Sequence, residues 1–203
     1  MTLSRRCLIG AAGLAILPLP GCDRLLGRSS EPRFHFTDIT GAEFARRLEL
    51  PDADGRTRSL ADWKGKVIVV FFGYTQCPDF CPTTLTELAQ VKKDLGAAGR
   101  RVEVLFVTVD PERDTPQVMK SYVSNFGPDV VGLRGSPEQT AEAAKEFKVF
   151  YAKVPGKTPG SYTMDHSAAS FVFDTQGKVR LYVPYGADQK AFEQDLSQLL
   201  SAA

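Results

Sequence analysis

Cysteine and histidine are scarce in this sequence of 203 residues, which contains four cysteines and two histidines. The cysteines are unevenly spaced, at Cys7, Cys22, Cys77 and Cys81, and this excludes a small domain held together by a disulfide framework. Neither positive nor negative charge predominates, because 25 Lys and Arg residues balance 24 Asp and Glu residues. A near-neutral chain that is 43% hydrophobic is typical of one globular domain and gives no reason to expect a nucleic-acid partner.

A long hydrophobic run is absent from the N-terminal segment. The apolar stretch at residues 8–17 is shorter than the ~20 residues that a membrane-spanning helix needs, and it follows the basic pair Arg5-Arg6. This pattern predicts an export signal. The next residues, Leu19-Pro20-Gly21-Cys22, resemble the bacterial lipobox, in which the cysteine is lipidated and becomes the first mature residue. Cleavage of an ordinary signal peptide nearby is the alternative.

These features predict where the mature protein resides. We expect a lipoprotein signal peptide at residues 1–21, a flexible tether rich in Arg, Ser, Gly and Pro at 22–36, and a folded domain at 37–203. Several acyl chains on Cys22 would hold the protein stably at a membrane. The expected location is the bacterial periplasm, anchored by lipid to the cytoplasmic membrane, after export by the Sec or twin-arginine route.

The other two cysteines lie where a buried strand is predicted to run into a helix. Residues 66–72 form a continuous apolar run, typical of a strand covered on both faces, and residues 82–91 have apolar side chains at helical spacing behind Pro82. A helix N-terminus favours the thiolate and makes cysteine reactive. If Cys77 and Cys81 are both helical, their Cα atoms lie roughly 6 Å apart. That separation allows either metal chelation or a disulfide.

The remaining segments predict alternating strands and helices. Residues 47–60 predict a hairpin with an Asp-Gly turn. Downstream, the pattern predicts a buried strand at 102–109, a helix at 117–123 that begins with Thr115 and Pro116, a short strand, and a helix at 137–147 that begins with Ser136 and Pro137. These are followed by an edge strand at 149–154, a loop at 155–164, a hairpin at 170–183 and a final helix at 188–200. This order indicates an α/β fold of the thioredoxin-like type, a central mixed sheet flanked by helices with an N-terminal hairpin addition.

One of the two histidines becomes informative within that fold. The loop that enters the late hairpin lies against the cysteine turn in thioredoxin-like folds, so Asp165-His166-Ser167 is expected to face Cys77 and Cys81. Two thiolates and one imidazole are ligands that suit copper, and zinc with the same three ligands is the competing hypothesis. We predict that Met164 is a loop or packing methionine and that His35, with no ligand-type neighbour in sequence, is a solvated or edge side chain without function.

Three motifs carry a resemblance to a known family. They are Gly73-Tyr74-Thr75-Gln76-Cys77-Pro78-Asp79-Phe80-Cys81-Pro82, then Val107-Thr108-Val109-Asp110-Pro111-Glu112-Arg113-Asp114-Thr115-Pro116, then Asp165-His166-Ser167-Ala168. In this order they resemble the Sco/SenC family of copper-binding assembly proteins. The resemblance implies a thioredoxin-like fold, copper bound by Cys77, Cys81 and His166, and delivery to the binuclear copper site of cytochrome c oxidase. The implied partners are the oxidase subunit that carries this site and other copper chaperones or thiol reductants.

The resemblance also bears on redox state and on four carboxylates. Thiols bind copper only when reduced, so a Cys77–Cys81 disulfide in the oxidised protein would prevent binding. Asp110 and Asp114 match motif positions, and together with Asp79 and Asp165 they are candidates for orienting the ligands or docking a partner. A capped loop between strand and helix explains Asp110 and Asp114 nearly as well.

The cysteine pair is also compatible with functions other than copper delivery. A thiol–disulfide oxidoreductase would use Cys77 and Cys81 as a redox-active pair to reduce the cysteines of a copper-site client, although the three-residue spacer departs from the C-x-x-C of thioredoxins. A peroxiredoxin-type peroxidase is disfavoured, because Val70 and Tyr74 occupy the places of its proline and threonine. Haem attachment is excluded, since Pro82 and not histidine follows Cys81.

Overall fold

The computed structural model describes residues 33–202 as ten strands and four α-helices. In chain order the strands are β1 (Thr37–Asp38), β2 (Glu49–Pro51), β3 (Thr57–Ser59), β4 (Val67–Gly73), β5 (Val102–Thr108), β6 (Val130–Leu133), β7 (Tyr151–Pro155), β8 (Tyr162–His166), β9 (Ser170–Phe173) and β10 (Val179–Val183). The helices are α1 (Phe80–Asp94), α2 (Pro116–Val123), α3 (Pro137–Glu146) and α4 (Gln189–Ser201).

A six-stranded mixed sheet forms the centre of the molecule, in the order β1-β10-β9-β4-β5-β6. Strands β4, β5 and β6 are parallel, and β9, β10 and β1 continue the sheet in antiparallel pairs. Every residue of β4 and β5 is buried, as expected for continuous apolar strands that are covered on both faces. The predicted thioredoxin-like α/β fold with a central mixed sheet is confirmed.

Three helices begin at side chains that accept hydrogen bonds from their first turn. The Thr115 hydroxyl accepts from the Val118 N–H, and Ser136 forms a capping box with Gln139, each ahead of a proline that opens the helix. The Asp188 carboxylate caps α4 in the same way. The predicted starts of α2 and α3 are therefore confirmed.

Aromatic side chains fill the space between the sheet and its covering helices. Phe147, fully buried after α3, has its ring centroid 5.1 Å from Phe72, 5.3 Å from Phe171 and 6.0 Å from Phe173. These contacts join the end of α3 to β4 and β9 at one point. The cysteine connection thus begins from a strand that is fixed on both sides by the core.

Two further hairpins lie outside the central sheet. The predicted N-terminal hairpin is confirmed as β2 paired with β3, and a single bridge from Asp52 to Leu133 joins it to the sheet edge. The second hairpin, β7 with β8, was predicted as one strand followed by a loop. The loop prediction for residues 155–164 was wrong at its C-terminal end, because Tyr162, Thr163 and Met164 belong to β8. The Gly, Pro and Ser residues before Tyr162 hid the short alternating pattern that buries Met164.

The N-terminal end of the described chain is packed rather than extended. Phe34 and Phe36 pack against the core, and the backbone N–H groups of His35 and Phe36 donate to the buried Asp195 carboxylate on α4. The His35 ring also contacts Asp195, with 2.8 Å between Nδ1 and Oδ1. His35 is exposed, in agreement with its prediction as a solvated or edge side chain, but it also has a partner that lies 160 residues away in sequence.

The predictions for residues 1–32, including the signal peptide, the lipidated Cys22 and most of the tether, lie outside the described residues. Within 33–202, none of the helices combines the length and apolar character that crossing a membrane requires.

We predict that Asp195→Asn lowers the free energy of unfolding by about 1–3 kcal/mol. The buried Asp195 carboxylate accepts three hydrogen bonds from His35 and Phe36, and the asparagine amide has only one oxygen to accept them. Chemical denaturation measures this change, and hydrogen exchange should show faster exchange at the His35 and Phe36 amides. Glu193→Gln removes one charge from the same helix and is the matched control. Equal stability of the two variants would contradict the assigned role of Asp195.

Candidate metal centre

The connection from β4 to α1 places both cysteines beside the sheet. The chain turns after Gly73, and the Cys77 N–H donates to the Tyr74 carbonyl. Asp79 is the N-cap residue of α1, so Cys81 lies in the first turn of the helix whereas Cys77 precedes it. Both cysteines are free thiols and both are buried. The Cα separation predicted for two helical cysteines therefore does not apply, because only Cys81 lies in the helix.

His166 ends β8 and comes to the same place from the other side. Its Nε2 lies 3.7 Å from the Cys81 sulfur, and the ligand atoms of Cys77, Cys81 and His166 all lie within 4.8 Å of one another. Across residues 33–202, this is the one group of three or more His, Cys, Asp and Glu side chains close enough to hold a metal ion. The structure thus brings together the three residues that the sequence singled out.

The orientation of the imidazole is fixed by its second nitrogen. The His166 Nδ1 lies 3.0 Å from the Ser167 carbonyl oxygen, which only accepts, so Nδ1 carries the proton. In the neutral ring, Nε2 then directs its lone pair toward the sulfurs. Phe71 and Tyr74 contact the ring edge-on, with centroids 6.3 Å and 5.9 Å away. The imidazole is thus held as a ligand before any metal arrives.

The two thiols differ sharply in acidity. The Cys81 thiol donates to the Cys77 sulfur and lowers the pKa of Cys77 to about 5, with further help from the backbone N–H groups of Asp79 and Cys81, against the cost of burial. The same shared proton and burial raise the pKa of Cys81. At neutral pH the pair therefore holds one thiolate, on Cys77, and one thiol proton, on Cys81.

Gly73 leaves the space that the Cys81 sulfur occupies. A Cβ at Gly73 would lie 2.7 Å from the Cys81 sulfur and 2.8 Å from the Phe106 ring. Both distances are shorter than van der Waals contact, so only glycine fits here without a shift of the sulfur or the ring. The last residue of β4 is therefore part of the site.

Asp114 stabilises the connection between β4 and α1 by hydrogen bonds. Its buried carboxylate accepts from the Thr75 N–H at 3.1 Å, from the Thr75 hydroxyl at 2.6 Å and from the Thr108 hydroxyl. Burial raises the pKa of Asp114, and the hydrogen bonds from Thr108 and Thr75 oppose that effect. The carboxylate thereby holds the turn two residues before Cys77.

Asp110 contacts the other half of the site. It is buried and accepts from the Arg113 guanidinium and from the Tyr162 hydroxyl, the latter at 2.9 Å. Tyr162 begins the strand that His166 ends. No role for Arg113 or Tyr162 was predicted from the sequence, although Arg113 lies between the two motif aspartates.

The other two candidate carboxylates, Asp79 and Asp165, are exposed, and the Asp79 side chain accepts no capping hydrogen bond from α1. Asp165 lines a cleft together with Cys77, Met164, His166 and others. Phe80 and Tyr185, respectively 47% and 39% exposed, contact each other edge-to-face at 4.8 Å nearby. The sequence did not indicate this aromatic pair, because its members are 105 positions apart and come from different elements.

Two sulfurs and one imidazole nitrogen can bind a soft metal ion. Thiolate and imidazole ligands suit copper, whereas structural zinc sites usually have a fourth protein ligand. Met164 is buried in the cleft wall, in agreement with its predicted packing role. Among the described residues, no fourth His, Cys, Asp or Glu joins the group, so its chemistry favours a three-coordinate ion that a partner can reach.

Comparison with known proteins gives consistent matches over the folded part. The family model described as SCO1/SenC matches residues 36–201. The chain is 40% identical over 149 residues to "Protein SCO2 homolog, mitochondrial" of cattle (Bos taurus), a match that covers 72% of this chain and 55% of that protein. The chain thus spans less than two thirds of the length of such relatives.

Solved structures are similar as well. Bradyrhizobium japonicum ScoI with copper bound is 38% identical, with a TM-score of 0.68 over 75% of this chain and 97% of that one. Yeast Sco1 with copper bound is 30% identical, with a TM-score of 0.69 over 77% and 88% of the two chains.

We predict that Gly73→Ala destabilises the protein by about 1–3 kcal/mol and displaces the Cys81 sulfur, because the added Cβ would overlap that sulfur and the Phe106 ring. Thermal or chemical unfolding measures the first effect, and the reactivity of the thiols measures the second. Gly132→Ala is the matched control, since its Cβ would meet the flexible end of Met119 at 3.0 Å. The role of Gly73 is wrong if both alanine variants behave like wild type.

We also predict that alkylation of Cys77 by iodoacetamide rises with pH to a plateau, with its midpoint near pH 5. Cys81→Ala removes the donor that stabilises the thiolate, so the midpoint should move upward toward the ordinary range for cysteine. Mass spectrometry of the Cys77 peptide gives the rate at each pH. A wild-type midpoint near pH 8.5, the unperturbed value, would contradict the hydrogen-bonded thiolate.

Proposed function

The chain belongs to the SCO1/SenC family, and from this membership together with its Cys77, Cys81 and His166 group we propose that it is a copper metallochaperone. One observation carries the proposal: two sulfurs and one oriented imidazole nitrogen lie within 4.8 Å of one another in a fold shared with copper-bound relatives. Copper is cargo for such a protein, not a resident cofactor.

The protonation state of the thiols suits reversible capture. Cys77 offers a thiolate at neutral pH, and Cys81 releases its proton when its sulfur becomes a ligand. His166 supplies nitrogen without rearrangement, because Ser167 already fixes its ring. The cleft beside Cys77 and His166 leaves one side of the group accessible, through which a partner's ligands can replace the protein's own.

The proposed client is the binuclear copper site of cytochrome c oxidase, as the family resemblance implies. Other copper chaperones or thiol reductants would load the protein or keep its cysteines reduced. We further propose that the protein works in the bacterial periplasm, held at the cytoplasmic membrane by lipid on Cys22. The predicted export signal and the lipobox-like sequence Leu19-Pro20-Gly21-Cys22 support this proposal.

A second candidate function, thiol–disulfide reduction, is favoured by the acidic Cys77 thiol. The Cys77 thiolate would attack one sulfur of a client disulfide and release the other as a thiolate. Cys81, once deprotonated, would then attack Cys77 in the mixed disulfide. The products are a reduced client and an intramolecular Cys77–Cys81 disulfide, so two electrons pass to the client.

Anaerobic copper titration tests the principal proposal. In a full-length protein with Cys7→Ser and Cys22→Ser, the only thiols are Cys77 and Cys81. We expect one tightly bound Cu(I) per chain, and we expect Cys77→Ser, Cys81→Ser and His166→Ala each to weaken it by at least about tenfold, since each removes a ligand. Competition with a chromophoric Cu(I) chelator measures the affinities.

His35→Ala is the matched control, because it removes the other histidine of the chain and should leave copper affinity unchanged. Affinity that is indifferent to His166 would contradict the three-ligand site. Absence of stoichiometric copper, combined with rapid reduction of a disulfide substrate, would instead favour the oxidoreductase.

A further inference from the structure

The metal group is assembled from two separately hydrogen-bonded parts of the chain. Cys77 and Cys81 follow β4 of the central sheet, whereas His166 ends the β7–β8 hairpin, which forms a two-stranded sheet of its own. Within residues 33–202, no backbone ladder pairs this hairpin with the central sheet, and the chain enters β9, the neighbour of β4, only at Ser170. The distance from the His166 nitrogen to the sulfurs therefore depends in part on the side-chain contacts that hold the hairpin in place.

Arg113 makes such contacts on both sides. One Nη1 atom lies 2.8 Å from the Tyr162 carbonyl oxygen on the hairpin and 3.2 Å from Gln76 Oε1, the residue before Cys77. Its guanidinium carbon lies 3.7 Å from the centre of the Tyr162 ring. A single side chain thus spans the gap between the cysteine turn and the strand of His166.

The anchor for this contact is rigid. Asp110 is 1% exposed and pairs with the Arg113 guanidinium while it accepts from the Tyr162 hydroxyl. The next residue after Arg113, Asp114, holds Thr75. A charge-assisted pair on a buried carboxylate has little freedom, and the stacked guanidinium adds a cation–π contact to the tyrosine.

We infer that Arg113 is a positioning residue that clamps the β7–β8 hairpin through Tyr162 and so sets how closely His166 approaches Cys77 and Cys81. This inference rests on the proposed copper function for its consequence, which is retention of the ion, but its structural part concerns the metal-free protein. Loosening the clamp withdraws the imidazole and leaves the sulfur pair in place.

The first test uses the reduced, metal-free, full-length protein and hydrogen exchange. In Arg113→Ala, the amides of β7 and β8 should exchange at least about tenfold faster, while those of β4 and β5 keep their wild-type rates, because only local opening is affected. Lys157→Met is the matched control, because it removes an exposed cation from the turn of the same hairpin.

The second test is a double-mutant cycle on Cu(I) affinity in the Cys7→Ser, Cys22→Ser background. Arg113→Ala should weaken copper binding by about tenfold when His166 is present and have no effect when His166 is already alanine, because the clamp acts through the imidazole. Tyr162→Phe keeps the ring and its carbonyl, loses only the bond to Asp110, and should give a smaller loss of the same kind.

The outcomes separate the clamp from the copper function. Unchanged exchange in the hairpin, or equal acceleration throughout the sheet, overturns the clamp. Equal losses of affinity with and without His166 overturn it as well, since the effect would then bypass the imidazole. If wild type binds no copper, the proposed function fails while the exchange experiment still decides the clamp.

Discussion

The central constraint on this molecule is that two sulfurs and one imidazole must meet although the cysteines follow a strand of the central sheet and the histidine ends a separate hairpin. Cys77 and Cys81 are fixed by the end of a fully buried strand and the start of a helix, and His166 is carried by a hairpin outside the central sheet. Side chains from the 110–114 turn hold both parts. The 110–114 turn, noted in the sequence for its two aspartates, therefore serves mainly to hold these two parts of the chain together.

Burial and hydrogen bonding give the group its chemistry. A thiolate inside a protein is costly unless donors stabilise it, and here the Cys81 thiol and the first turn of α1 supply them. The pair therefore holds one proton, whereas two neutral thiols hold two and a metal centre with two thiolates holds none. Copper capture and disulfide exchange both release that remaining proton, which explains why the two proposed functions share the same residues.

The sequence predicted the parts of this structure that depend on local pattern. Continuous apolar runs marked β4 and β5, and the Thr115 and Ser136 caps marked the helix starts. It missed β8, whose five residues follow a glycine- and proline-rich stretch, and it missed the partnership of His35 with Asp195. The roles of Gly73 and Arg113 were equally hidden, because both depend on neighbours brought close by tertiary folding.

X-ray absorption at the copper edge of the loaded protein identifies the atoms that bind the ion. We expect two sulfur neighbours and one imidazole in the wild-type protein, and two sulfur neighbours without imidazole scattering in His166→Ala. Imidazole scattering that persists in His166→Ala, or a first shell without sulfur, would contradict a site built from Cys77, Cys81 and His166.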